Sequence, residues 1–166
     1  MKKSYIIAAV LIMISVVIGG CGFFGGESVS DKYADKASEL GYSLEASGNE
    51  YVVEDGNTKY YYKKGLFKLK FTKYEVTLDD DVEPNGVITA TMRSSKKVDV
   101  SMKSDRGYVS FFCGTDFSDS MFSGSEFKDP LGKRKESYED ITGVMSSSEL
   151  RHTYEKAMDI CDELND

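Results

Sequence analysis

The sharpest hydrophobic pattern in the chain lies near its end, where Leu150, Tyr154, Ala157, Cys161 and Leu164 recur at spacings of four and three. That period places them on one side of an α-helix. Met158 and Ile160 flank the stripe, and Arg151, His152, Glu155, Lys156, Asp159, Asp162 and Glu163 fall on the other side. Ser146 and Glu149 are spaced as a capping box, with Met145 and Leu150 at the staple positions, so the helix should begin there. A shorter helix is predicted from Ser30, which can cap it. Tyr33, Ala34, Ala37 and Leu40 share its face, and Gly41 supplies the turn that ends it.

Between the helices the period changes to two. The region from Tyr42 to Cys113 is rich in Tyr, Phe, Val and Thr and is cut by turn signals. Ser47-Gly48-Asn49 separates Tyr42–Ala46 from Glu50–Glu54, and Asp55-Gly56-Asn57 leads into Thr58–Lys63. Leu66 to Leu78 reads as one long extended stretch. Its apolar phase moves from Phe67, Leu69 and Phe71 to Tyr74, Val76 and Leu78, and that slip of one residue predicts a bulge near Thr72 and Lys73. Val87–Arg93, Lys97–Lys103 and Gly107–Cys113 complete the set. Residues 114–135, rich in Ser, Gly, Asp and Lys, read as a long loop with room for a short helix, pinned by Phe117, Met121, Phe122 and Phe127. The expected architecture is α+β: a curved antiparallel meander of six or seven strands, a short N-terminal helix, and a C-terminal amphipathic helix packed on the sheet.

The first residues follow a different logic. Lys2 and Lys3 precede an uncharged apolar run from Tyr5 to Ile18, which matches the basic and apolar regions of an export signal. The run is shorter than the roughly 20 residues needed to cross a bilayer. It ends in Ile18-Gly19-Gly20-Cys21, which resembles the lipobox of bacterial lipoprotein precursors. That resemblance covers the leader alone. It implies cleavage after residue 20, a diacylglyceryl group on the Cys21 thiol, and a protein held by lipid at the extracytoplasmic face of the bacterial membrane. The organisation is then a signal peptide over residues 1–20, a lipidated, glycine-rich tether over 21–29, and one extracytoplasmic domain over 30–166.

The leader holds two lysines and no acid, so the formal charge of −7 becomes −9 once it is removed. Such acidity argues against both nucleic acid and anionic lipid surfaces as partners. With Cys21 assigned to lipid, Cys113 and Cys161 remain, and an exported location permits a disulfide between them. Such a bond would close a loop of about 49 residues, worth on the order of 4 kcal/mol. The alternative is two buried free thiols.

Candidate chemistry is sparse. His152 is the single histidine and falls on the polar side of its helix. None of the common nucleophile, phosphate-loop, zinc-protease or dinucleotide motifs occurs in the sequence, and no cofactor is implied. From Asp81 the run Asp79–Gly86 partly follows a calcium loop, with oxygen donors on Asp81, Glu83 and Asn85. Met92, however, stands where the bidentate glutamate belongs, and a solvated turn accounts for the same residues. An envelope hydrolase would draw on Asp79, Asp80, Asp81 and Glu83. Two further sets point to binding: Lys68 and Lys70, within a lysine-rich stretch, and Tyr60, Tyr61 and Tyr62, whose rings must alternate between the two faces of a strand. Solvated lysines and packed tyrosines are the plain alternatives. The expectation is a lipid-anchored, non-catalytic module that binds an envelope protein or polymer, with hydrolysis and calcium-dependent adhesion as the other readings.

Overall fold

Seven strands pair in sequence order into one antiparallel sheet, described by a computed structural model covering residues 32–79, 81, 84–118 and 133–166. The strands are β1 Ser43–Ser47, β2 Glu50–Asp55, β3 Thr58–Lys64, β4 Leu69–Thr77, β5 Gly86–Ser94, β6 Lys97–Ser104 and β7 Gly107–Gly114. Helix α1, Lys32–Leu40, precedes them. Helices α2, Lys133–Thr142, and α3, Ser147–Asn165, follow. The α+β meander expected from the alternating pattern is therefore the fold.

Hairpin turns place every second connection at the same end of the sheet. Gly48–Asn49, residues 65–68 and Ser95–Lys96 lie at one end; Gly56–Asn57, Leu78 and Asn85 at the edges of the β4–β5 connection, and Asp105–Arg106 lie at the other. Strand alternation then sorts the side chains. Val53, Tyr60, Tyr74, Ala90, Val100 and Phe111 are successive register partners across β2 to β7, and all are buried under the helices. The neighbouring row of Val52, Tyr61, Lys73, Thr91, Asp99 and Phe112 faces the other way and is half-buried.

The predicted bulge is present. Tyr61 pairs with Lys73 and Tyr62 with Phe71, so Thr72 is the extra residue, and its hydroxyl donates to the Tyr61 carbonyl at 2.9 Å. The predicted start of that strand needs correction. The chain from Gly65 to Lys68 turns back on itself, with Gly65 N–H bonded to Lys68 O at 2.9 Å. Leu66 and Phe67 consequently stand in solvent instead of joining the apolar face.

Helix α3 has the capping box, with Glu149 N–H donating to Ser146 Oγ at 3.3 Å and Ser146 N–H to Glu149 Oε2 at 2.8 Å. Leu150, Ala157, Ile160, Cys161 and Leu164 are buried, and Tyr154 is half-buried. The helix crosses the sheet on hydrogen bonds as well as apolar contact. Tyr74 donates to Leu150 O at 2.9 Å, Tyr62 to Ala157 O at 3.1 Å, and Asn165 pairs with both backbone groups of Leu69. Helix α1 buries Tyr33 and Ala37 and ends at Gly41, φ +81°, with Tyr42 N–H to Ala37 O and Gly41 N–H to Ser38 O closing a Schellman turn.

Helix α2 starts at Lys133, within the stretch read as a loop with room for a short helix, and runs beyond it to Thr142. It buries Ile141 and sets the Tyr138 ring edge-on to Phe111 at 5.0 Å, and two apolar positions give no periodic signal. Phe117 pins the chain after β7 as expected, buried against Tyr154 at 5.8 Å between ring centres. Met121, Phe122 and Phe127 lie outside the described residues.

Cys113 and Cys161 do not form the disulfide considered above; both are buried free thiols. Cys161 Sγ sits 3.6 Å from the Leu69 carbonyl on β4, whereas Cys113 is on β7. Three strand spacings, about 14 Å, separate those strands. A disulfide needs Cα atoms within about 7 Å. Burial pushes the Cys113 thiol up to about 12 and raises that of Cys161 as well. Iodoacetamide at neutral pH is therefore expected to leave both unmodified in the native protein and to label both in denaturant without reductant. Labelling that required reductant would establish a bond and overturn this arrangement.

Candidate functional site

Two clefts flank α3, one at each end. The first, about 360 Å³, lies where the last turns of α3 pass over β4 and β5. Leu69, Phe71, Met92, Tyr154 and Met158 give it an apolar wall. Lys68, Lys70, Asp162 and Asn165 contribute its polar part. Lys68 and Lys70 are exposed, so the two lysines singled out in the sequence meet here. Asn165 is fixed by its bonds to Leu69 and by a further bond from Nδ2 to Cys161 O at 2.7 Å, which holds the end of the helix in place.

The second cleft, about 560 Å³, lies at the start of α3 and is lined by Asn57, Leu78, Asp79, Met145, Glu149 and His152 among others. It brings Asp79 and His152 together, yet both are exposed. Glu149 is already committed to the cap: hydrogen bonds from the Ser146 hydroxyl and backbone N–H hold its carboxyl below the usual range.

The remaining candidates divide by face. Tyr60 and Tyr62 are core residues with no ring surface left for a ligand; burial pushes Tyr60 up to about 12 and raises Tyr62 further. Tyr61 is on the opposite face, and it too is engaged. Its hydroxyl donates to Glu75 at 2.6 Å, and Lys73 lies 4.0 Å from its ring centre and 2.6 Å from the same carboxylate. Burial, then the bond to Glu75, pushes Tyr61 up to about 12. Burial alone would raise Glu75, but the bonds from Lys73 and Tyr61 outweigh it and lower the carboxyl.

Asp81 and Asn85 are exposed in the connection between β4 and β5; Asp80 and Glu83 lie outside the described residues, as does Cys21. Among the described residues no three His, Cys, Asp or Glu side chains gather as a metal site, and no helix is long and apolar enough to cross a membrane. The cleft residues that the sequence did not disclose are Met92 and Tyr154 as wall and Asn165 as latch. Met92 was legible as a strand residue, but its neighbours across the helix depend on the crossing angle.

Comparison with protein-family models, with curated proteins and with solved structures finds no match for the chain.

Proposed function

We propose that the protein is a lipid-anchored, extracytoplasmic binding module of the bacterial envelope, and that the cleft at the end of α3 is where it takes its ligand. The observation that carries this reading is the composition of that cleft: an apolar wall of Leu69, Phe71, Met92 and Met158 beside exposed Lys68 and Lys70. Such a site favours a ligand with an apolar body and an anionic group, because the wall rewards burial while the lysines reward charge. The leader and Ile18-Gly19-Gly20-Cys21 support the anchor. The module acts by binding, with no reaction assigned to it.

The test places the photo-crosslinking residue benzoylphenylalanine at Met158, in this cleft, or at Met145, in the other, within the full chain made in its own cells. An adduct of defined mass at Met158, absent at Met145 and lost in Cys21→Ala, is the expected result. Equal adducts at both positions, or adducts at Met145 alone, would overturn the assignment.

A further inference from the structure

Among the described residues Leu40, Leu66, Phe67 and Tyr108 are the exposed large apolar side chains. Leu66 and Phe67 are the extreme pair, at 88% and 86% exposure. They are adjacent, at the tip of the β3–β4 connection. The tip is held in shape by Gly65 N–H bonded to Lys68 O at 2.9 Å and by Lys64 N–H bonded to Asn49 O at 2.7 Å. A Cβ on Gly65 would stand 2.9 Å from Lys68 O, so glycine permits the tight closure. Two apolar side chains presented to water by a closed turn have no role in this domain's core.

Their surroundings are basic in a protein that is otherwise acidic. Lys63, Lys64, Lys68 and Lys70 flank the pair, all exposed and without an ion pair among the described residues. Lys32 and Lys96 lie at the same end of the sheet, on α1 and on the β5–β6 turn. The acids at this end lie on the helices and on β2: Asp35 in the first turn of α1, Asp162, Glu163 and Asp166 at the end of α3, and Glu50 opposite Lys63, whereas residues 63–70 hold four lysines and no acid. The turn itself is thus opposite in sign to the domain as a whole, and it is the part that projects furthest toward a surface met at this end.

The direction of the chain adds an independent observation. Helix α1 starts at this end, where Tyr33 packs edge-on to Tyr51 at 5.4 Å and its ring centre lies 5.9 Å from Lys64 Nζ. Cys21 is eleven residues before Lys32. Even a fully extended segment of that length reaches only about 40 Å. A lipid on Cys21 would thus attach the domain to the bilayer through the end that carries the tip.

We infer that the Gly65–Lys68 turn is a membrane-docking tip, with Leu66 and Phe67 entering the interface and Lys63, Lys64, Lys68 and Lys70 contacting anionic phospholipid headgroups. Its orientation rests on the anchored reading above, but its affinity for the surface does not. A wet apolar pair gains by entering the headgroup region, and each lysine near an anionic surface strengthens docking by about fivefold. The tip would also set the cleft of Lys68 and Phe71 close to the membrane surface.

The chain contains no tryptophan, so Phe67→Trp installs a single reporter. Tyr108→Trp, exposed at the other end of the sheet, is its control. Full-length chain made without lipid is mixed with vesicles of phosphatidylcholine with or without about one third phosphatidylglycerol, a fraction high enough to build a surface potential. Brominated acyl chains serve as quenchers. Emission at position 67 should shift blue and be quenched in the anionic vesicles, and position 108 should stay water-like. Changing all four lysines to Gln should lower the docked-to-free ratio by two decades or more. Raised salt should lower it too.

A water-like, unquenched position 67 would overturn the proposal. So would equal quenching at 67 and 108, or a shift produced by soluble polyphosphate without quenching, which would point to an anionic polymer. Palmitate labelling of Cys21 in cells tests the anchor separately, so either reading can fail while the other stands.

Discussion

Replacing Tyr74 by alanine is expected to remove about 3–5 kcal/mol of folding free energy, the range for emptying a large aromatic site in a core. Tyr74 is fully buried at the centre of the row that runs from Val53 to Phe111. Its hydroxyl reaches Leu150 O across the sheet–helix interface at 2.9 Å. Loss of the ring opens a cavity beneath the first turn of α3, where Leu150 is also fully buried. For a domain with a typical 5–15 kcal/mol in total, that is a third or more of its stability.

Tyr74→Phe keeps the ring and deletes only the bond, so about 0.5–1.5 kcal/mol should be lost. Tyr61→Ala, on the same row of pairings as Lys73 but on the face away from the helices, should fall well below Tyr74→Ala. Urea midpoints of the three variants check the order. If Tyr61 and Tyr74 cost the same, the face bearing Tyr61 is covered, and the division of faces described above is wrong.

Alkaline pH tests the same core through its protons. Tyr60 is raised to about 12 and Tyr74 lies well above the ordinary value of 10, in both cases chiefly through burial. Above pH 10 the unfolded chain ionises these phenols while the folded one keeps them protonated, so folding binds more protons and stability must fall as pH rises. The contribution is therefore complete below pH 10 and is lost through about pH 12 and beyond. Tyr74→Phe should flatten this decline.

How much of this could be read from residues alone depended on whether a feature was periodic. The alternation from Tyr42 to Cys113 carried the meander, because a strand with one buried face must place Val53, Tyr60 and Tyr74 on the same side. The phase slip between Phe71 and Tyr74 marked the bulge at Thr72, and Ser146 with Glu149 marked the start of α3. These signals are local and arise from single elements. Helix α2 gave none, since Tyr138 and Ile141 are its apolar contacts with the domain and three apart is too few positions to define a face.

Phe67 shows the limit from the other direction. Its spacing to Leu69 and Phe71 fits an apolar strand face, but the closure of Gly65 on Lys68 takes it out of the strand. Nothing in the alternation reports where a strand begins. The cleft at the end of α3 was legible only through Lys68 and Lys70, because its apolar wall joins Phe71, Met92 and Met158 from three elements. The cysteine pairing failed for the same reason. A helix stripe and a strand each point their cysteine toward the core, but only the sheet order reveals that Cys161 lies over β4 and Cys113 on β7.

Gly86→Ala is the second change expected to act strongly, although the residue carries no side chain to lose. In the sequence, Pro84-Asn85-Gly86 has the composition of a solvated turn. Gly86 is instead the first residue of β5, paired with Ser104, and it is not among the residues of positive φ. What demands glycine is proximity. A Cβ there would lie 2.3 Å from Lys103 O and 2.8 Å from Ser104 Cα, both backbone atoms of the partner strand. Backbone cannot swing aside as a lysine tip can, so β5 must separate from β6 where Gly86 O also receives Leu78 N–H at 2.8 Å. The expected loss is about 3 kcal/mol, the upper part of the range for overpacking. Gly56→Ala supplies the contrast: φ is +61° with nothing within 4 Å, so only conformational strain of about 1–2 kcal/mol applies. Amide hydrogen exchange at Leu78 and Asp105 distinguishes the two mechanisms. The Asp105 N–H bonds to Asn85 O beside the clash, so Gly86→Ala should speed exchange at both amides. Gly56→Ala should destabilise the fold without opening that corner first, and if both variants open it equally, steric separation of β5 from β6 is not the cause.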